Sequence, residues 1–198
     1  SIPVAGALQT PDVDLPIPPY ALGAWLGDGT SSSASMCAGP KDADEIAQHV
    51  RDSGLTVGAY SIDKRNGVVT FGLRYSDASL PRSAGLQPTM RRMGLLNNKH
   101  IPAIYLRASE RQRRELLCGL MDTDGHICES GKPAFSTTLP QLRDGFLELT
   151  RSLGYKPTCV VSRAMVKGKD CGETYRIQFT SYSDDPVFKL ARKAARLL

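Results

Sequence analysis

The chain has 198 residues, 41% hydrophobic and 23% charged. That is enough apolar material for one sizeable core or two small fused ones, and too much for a disordered segment. The expectation is an intracellular protein outside the membrane: no uncharged apolar run reaches the roughly 20 residues that cross a bilayer, and no charged-then-apolar signal pattern opens the chain. The net charge of +5 is a modest basic excess, compatible with nucleic acid without requiring it.

In chain order, residues 1–20 are proline-rich and aperiodic, and read as an extended lead-in. The nonapeptide ALGAWLGDG (21–29) then predicts a short apolar helix stopped by Asp28-Gly29. A polar, strand-like stretch, SSSASMCAG, follows, and then an amphipathic helix over 42–55 with Gly54 as a left-handed C-cap. Residues 59–75 predict a strand pair turning at Asn66-Gly67, and a further helix over 86–97 closes this part. Ala103–Arg114 reads as a link running into a second nonapeptide, LCGLMDTDG (117–125).

From there the order repeats. HICESGKPAFSTT is strand-like, 139–155 is an amphipathic helix ending at Gly154, 158–182 is a strand pair, and 184–198 is a closing helix. The two nonapeptides align without gaps, and Asp124 follows Asp28 by 96 residues. The unit reads α-β-β-α-β-β-α, used twice. The predicted class is α+β: two pseudo-symmetric repeats, 21–102 and 103–198, with the motif helices at their interface and antiparallel sheets alongside. The five cysteines form an odd set without a CxxC pair, so neither a disulfide framework nor a zinc site is expected. They read as reduced, mostly buried thiols. Arg111, Arg113 and Arg114, Arg91 with Arg92, and Lys189, Arg192, Lys193 and Arg196 form basic clusters, each equally well a solvated helix face.

Gly23 and Gly27 share one helix face, as do Gly119 and Thr123, so two backbones can approach more closely than leucine packing allows. Leu22, Trp25, Leu26, Leu117, Leu120 and Met121 would then pack into the cores of the two halves. An aspartate at a helix C-terminus meets partial negative charge and unpaired carbonyls, at a cost of a few tenths to about 1 kcal/mol. Asp-Gly alone is an ordinary helix stop. Two copies at the ends of touching helices are harder to explain structurally, and a hard divalent cation such as Mg²⁺ is the natural remedy. Two such ions suit in-line displacement at a phosphodiester.

These residues resemble the paired signatures of single-chain LAGLIDADG homing endonucleases, and LPIPPYALGAWLGDG is similar to the form in intein-borne members. NNKHIPAIYL (97–106) resembles their lysine-bearing KxIP block. The resemblance runs from about Leu15 to Leu198. It implies a DNA endonuclease that makes a double-strand break, with Asp28 and Asp124 as metal-binding catalytic carboxylates. The carbonyls of Gly27 and Thr123 would help to hold two or more Mg²⁺ ions. Leu26 replaces the first acidic residue of the signature, which Asp122 keeps. Lys99 of the lysine block lies 71 residues after Asp28, and Lys193 lies 69 after Asp124, so the two form the expected catalytic pair. His100 and His126 are given no role.

The predicted partner is double-stranded DNA, met by a twisted two-stranded ribbon in each half. Candidate contacts are Ser31, Ser33, Ser35, Lys64, Arg65 and Arg74, then Lys132, Ser136, Arg163, Lys167, Lys169, Arg176 and Gln178. A monomer is expected, because the second half supplies what a partner chain would. Flanking intein splicing segments are expected in the full-length protein. An RNA-splicing maturase or a binding-only DNA regulator of the same fold are the alternatives.

Overall fold

The computed structural model describes residues 6–166 and 169–197. Within them the chain forms seven helices and two four-stranded antiparallel sheets. The first half contains α1 (Pro19–Asp28), β1 (Ser35–Ala38), α2 (Ala43–Asp52), β2 (Leu55–Val57), β3 (Ser61–Ile62), β4 (Val69–Tyr75) and α3 (Leu86–Arg92). The second contains α4 (Ala103–Leu106), α5 (Glu110–Thr123), β5 (Gly125–Ile127), β6 (Pro133–Thr137), α6 (Pro140–Ser152), β7 (Thr158–Val166), β8 (Lys169–Gln178) and α7 (Ala191–Ala194).

The second sheet runs β5-β6-β8-β7. The first runs β1-β4-β2, with β3 also on β4, and an isolated bridge between Gly29 and Met36 stands where β5 pairs with β6. The two halves thus share one topology, as the duplicated sequence implies, but the strand expected after α1 has shrunk to a single bridge.

Two expected helices are shorter than their periodicity suggested. α3 stops at Arg92 because Gly94 turns the chain left-handed at φ +68°. The helix expected over 184–198 is reduced to Ala191–Ala194, because Pro186 interrupts it and Asp122 takes the amides of Lys189 and Leu190 as hydrogen-bond donors. The cysteines also differ from expectation. Cys118 alone is buried, Cys37 and Cys128 are half-buried, and Cys159 and Cys171 are exposed. The last two sit on the β7–β8 hairpin, where β7 is exposed on both faces.

α1 and α5 form the centre. α1 begins with Pro19, whose missing N–H costs nothing in a first turn, and Tyr20 through Leu26 are all buried. α5 begins in a capping box: Ser109 Oγ accepts from the Gln112 amide, and Gln112 Oε1 accepts from the Ser109 amide. The two helices touch backbone to backbone. A Cβ on Gly23 would lie 2.2 Å from the Leu116 carbonyl oxygen, and one on Gly119 would lie 2.2 Å from that of Tyr20. Around this contact, one continuous core joins Trp25, Met36 and Phe71 of the first half to Phe135, Phe146 and Ile177 of the second. Phe135 stacks on Phe146 with centroids 4.2 Å apart.

Two straps cross the interface. Residues 8–17, on the N-terminal side, reach the second half: the Leu8 amide donates to the Ser152 carbonyl, and Thr10 Oγ1 to that of Ala108. The Ile17 amide donates to the Tyr105 hydroxyl, which donates back to the Ile17 carbonyl. Arg113, 1% exposed, holds the Leu8, Ala108 and Ser152 carbonyls. In return, the C-terminal segment docks on α2, with Arg192 on Asp42 and the Ala191 amide on Glu45. Of the basic clusters at 111–114 and 189–196, Arg113, Arg114, Lys189 and Lys193 are therefore turned to internal partners, while Arg111, Arg192 and Arg196 stay exposed even where they are bonded.

The glycine contact yields a stability prediction. Gly119→Ala and Gly23→Ala each lose about 2 kcal/mol or more in urea unfolding, because the added methyl meets backbone that cannot step aside. Gly39→Ala, whose Cβ would meet nothing within 4 Å, leaves stability nearly unchanged.

Candidate functional site

Both motif helices end at one place. A Cβ on Gly27 would lie 2.0 Å from Thr123 Oγ1, so the last turns of α1 and α5 abut. This brings Asp28 and Asp124 together, each half-buried, at the negative ends of two helix dipoles. Asp124 is pushed up to about 6, first by burial and then by the charge of Asp28, with Lys99 and Lys193 opposing. Asp28 is also raised, by burial, against the same two ammonium groups.

The lysines occupy equivalent positions. Lys99 Nζ donates to the Gly27 carbonyl at 2.7 Å and lies over the Trp25 ring. Its backbone is delivered by a tight turn in which Asn97 adopts φ +58° and donates its amide to the Ser31 carbonyl. Lys193 is only 7% exposed. Its ammonium sits in a cup of carbonyls: Asp122 at 2.6 Å, Gly125 at 2.6 Å, Met121 at 3.0 Å and Thr123 at 3.3 Å. Each lysine caps the C-terminus of one motif helix, where unpaired carbonyls favour a cation. Burial lowers the pKa of both lysines, and the nearby carboxylates oppose that shift. A solvated terminal helix is thereby excluded as the setting of Lys193.

Asp122 has a different role. It is 1% exposed, and all its partners are internal. The Tyr20 hydroxyl donates to Oδ2 at 2.8 Å, and the Lys189 and Leu190 amides donate to Oδ1 at 3.0 Å. It pins the C-terminal segment and so seats Lys193. The sequence carried a signal for this, an acidic residue two positions before Asp124 facing away from the glycine face, but the partners come from residues 67 or more positions away.

A cleft of about 360 Å³ opens beside the carboxylates, lined by Gly27, Ser31, Lys99, Asp124, Ser136, Thr137 and Thr174. Ser136 and Thr174 belong to the outer face of the second sheet, so that face is continuous with the site. The other expected contacts divide by position. Ser35, Arg74, Ser136, Arg176 and Gln178 lie on the solvent sides of their sheets. Ser31 and Ser33 lie in the loop before β1, Lys64 is exposed in the β3–β4 turn, and Lys132 is exposed beside β6. Arg65 is ion-paired to Asp63 and Arg163 to Asp170. Lys167 lies outside the described residues, and only the backbone of Lys169 is described. His126 directly follows the second motif, two residues after Asp124, and is exposed; partial burial with nearby cationic charge lowers its pKa.

No family model matches the chain. The replicative DNA helicase DnaB of Mycobacterium intracellulare is 38% identical over 194 residues, which is 98% of this chain and 28% of that protein. The chain thus spans under a third of this curated relative. Among solved structures, I-DmoI, in complex with its target DNA and in the presence of manganese, superposes with a TM-score of 0.54. The match covers 83% of this chain and 87% of that one at 11% identity, and it establishes the shared α+β fold. No helix among the described residues is long and apolar enough to cross a membrane.

Burial raises the pKa of both aspartates of the second motif, yet the two should respond oppositely to substitution. The raised Asp124 favours its protonated form in the fold, so its contribution is most favourable below pH 3.8 and is lost as pH rises through about 6. In metal-free protein at pH 7, Asp124→Asn therefore stabilises by about 1–2 kcal/mol after allowance for partial exposure, and the gain fades below pH 4. Asp122→Ala strands the Tyr20 hydroxyl and two amides and destabilises by about 3 kcal/mol at the same pH. Chemical denaturation at pH 4 and 7 checks both.

Proposed function

We propose that the chain is a site-specific homing endonuclease of the LAGLIDADG type, cutting both strands of a long DNA target with Mg²⁺. The observation that carries this is the meeting of Asp28 and Asp124 at the joined ends of two helices, where burial disfavours the ionisation of both and the charge of Asp28 adds to that cost at Asp124. Selection for stability alone gives no reason for that arrangement, whereas hydrolysis of two phosphodiesters does. The donors present are hard oxygens: the Asp28 and Asp124 carboxylates with the Gly27 and Thr123 carbonyls, a set that suits two or more Mg²⁺ ions. No three His, Cys, Asp or Glu side chains gather around a metal position among the described residues. Water and the substrate phosphates complete the coordination in this reading. Metal held by these donors would supply activation of water and stabilisation of the leaving oxygen.

The chain's own residues supply the rest. Lys99 and Lys193 hold one ammonium beside each helix end and stabilise charge that develops on the phosphates. One carboxylate per half accounts for one cut per strand. The halves, 21–102 and 103–198, act within a monomer; residues 1–20 are the lead-in, and within it residues 8–17 serve as the strap. The solvent faces of the two sheets form the DNA saddle, with Ser35, Arg74, Ser136, Arg176 and Gln178 as contacts; Ser31, Ser33, Lys64 and Lys132 extend it from the loops. I-DmoI, solved with its target DNA and manganese, supports this reading by its shared fold. The match to 28% of a DnaB helicase supports an intein endonuclease domain, with splicing segments flanking it in a longer protein.

Two outcomes are expected. Plasmid carrying an uninterrupted helicase junction is linearised in Mg²⁺ and left intact in EDTA. Asp28→Asn and Asp124→Asn abolish linearisation yet retain gel-shift affinity, and Lys99→Met slows it about a hundredfold at unchanged affinity; full cutting by either Asn variant refutes the assignment. Affinity also falls at least about tenfold between roughly 50 and 200 mM salt, since each phosphate neutralised releases counterions. A flat salt profile in fluorescence anisotropy would count against the saddle.

A further inference from the structure

The outer face of the second sheet carries a side-chain row that its fold does not use. Ser136, Arg176 and Val160 are in register across β6, β8 and β7. Ser136 lines the cleft that contains Asp124 and Lys99, so the row leads outward from the carboxylates. Val160 is 61% exposed, an apolar side chain held in water beside an exposed arginine. The Arg176 guanidinium donates to Cys128 Sγ at 3.0 Å, and Gln178 Nε2 donates to the same sulfur at 3.3 Å. A thiol is a weak acceptor, so it orients Arg176 yet yields it readily to a better partner. Arg163, nearby on β7, is by contrast engaged with Asp170.

The major groove offers partners for both members of the pair: guanine O6 and N7 suit a bidentate arginine, and the thymine C5-methyl suits an aliphatic side chain. Neighbouring strands lie about 4.8 Å apart, and successive bases are spaced by about 3.4 Å, so cross-strand neighbours reach bases one or two steps apart. We propose that Arg176 and Val160 form a base-reading pair, Arg176 taking a guanine and Val160 a thymine methyl within two base pairs, with Cys128 as positioning residue for Arg176. This inference rests on the DNA-cutting reading above.

The test selects bound duplexes from a randomised library by gel shift in EDTA, using the whole chain. Bound sequences should require a guanine and a thymine within two steps of each other. Replacing that thymine by deoxyuridine, which lacks the methyl, should weaken wild-type binding about three- to fivefold. Val160→Ser, at an exposed strand position, should bind the two duplexes equally. Arg176→Gln should lose at least about tenfold and relax the guanine requirement. Enriched duplexes that tolerate deoxyuridine at every thymine, or a Val160→Ser protein that still discriminates, overturn this inference alone. A library without any enriched duplex overturns it together with the reading on which it rests.

Discussion

The backbone contact between α1 and α5 is the constraint from which the rest of the structure follows. Glycine at positions 23 and 119 lets each helix press against carbonyls and amides of the other, where any Cβ would overlap them. Helices that close share one axis of approach and end together. Their last residues, Asp28 and Asp124, are then forced into one half-buried space whatever charge they carry. The sheets sit beside this pair because each begins immediately after it, at Gly29 and Gly125. A looser, leucine-packed interface would separate the carboxylates and leave each an ordinary helix stop.

Such a junction concentrates negative potential, and the fold answers it with buried cations. Lys99 and Lys193 each take carbonyls of one helix end, and their charges partly offset the burial of Asp28 and Asp124. The two supports are unequal in construction. Lys99 arrives on a tight turn within its own half. Lys193 depends on a carboxylate, Asp122, that draws residues 189 and 190 onto α5, and on Arg192, which reaches Asp42 of the other half. The straps make the halves interdependent: residues 8–17 cross one way and 189–196 the other. Part of the positive charge of the basic clusters is thus used inside, and Lys64, Arg74, Lys132 and Arg176 are among the cationic groups that the strands and loops leave exposed.

The duplication, the α+β class, the glycine faces and the pairing of Asp28 with Asp124 were all legible in the sequence. They rest on local or repeated signals: a nine-residue pattern written twice, glycines four apart on a helix, and glycine stops at positions 54 and 154 that the structure places at φ +105° and +86°. The distance from Asp28 to Lys99 also pointed to Lys193 through the repeat. What periodicity could not give was the end of the chain. A basic helical spacing over 189–196 reads as a solvated face, and only the packing reveals that Glu115, Asp42 and four carbonyls await those residues. The fates of Asp122, Arg113 and Arg114 were hidden for the same reason. Local spacing is set by neighbours a few positions away, so sequence determines which residues share a face; which faces then meet across 40 to 150 positions is decided by the closure of the core, and the charge of each buried group is settled only there.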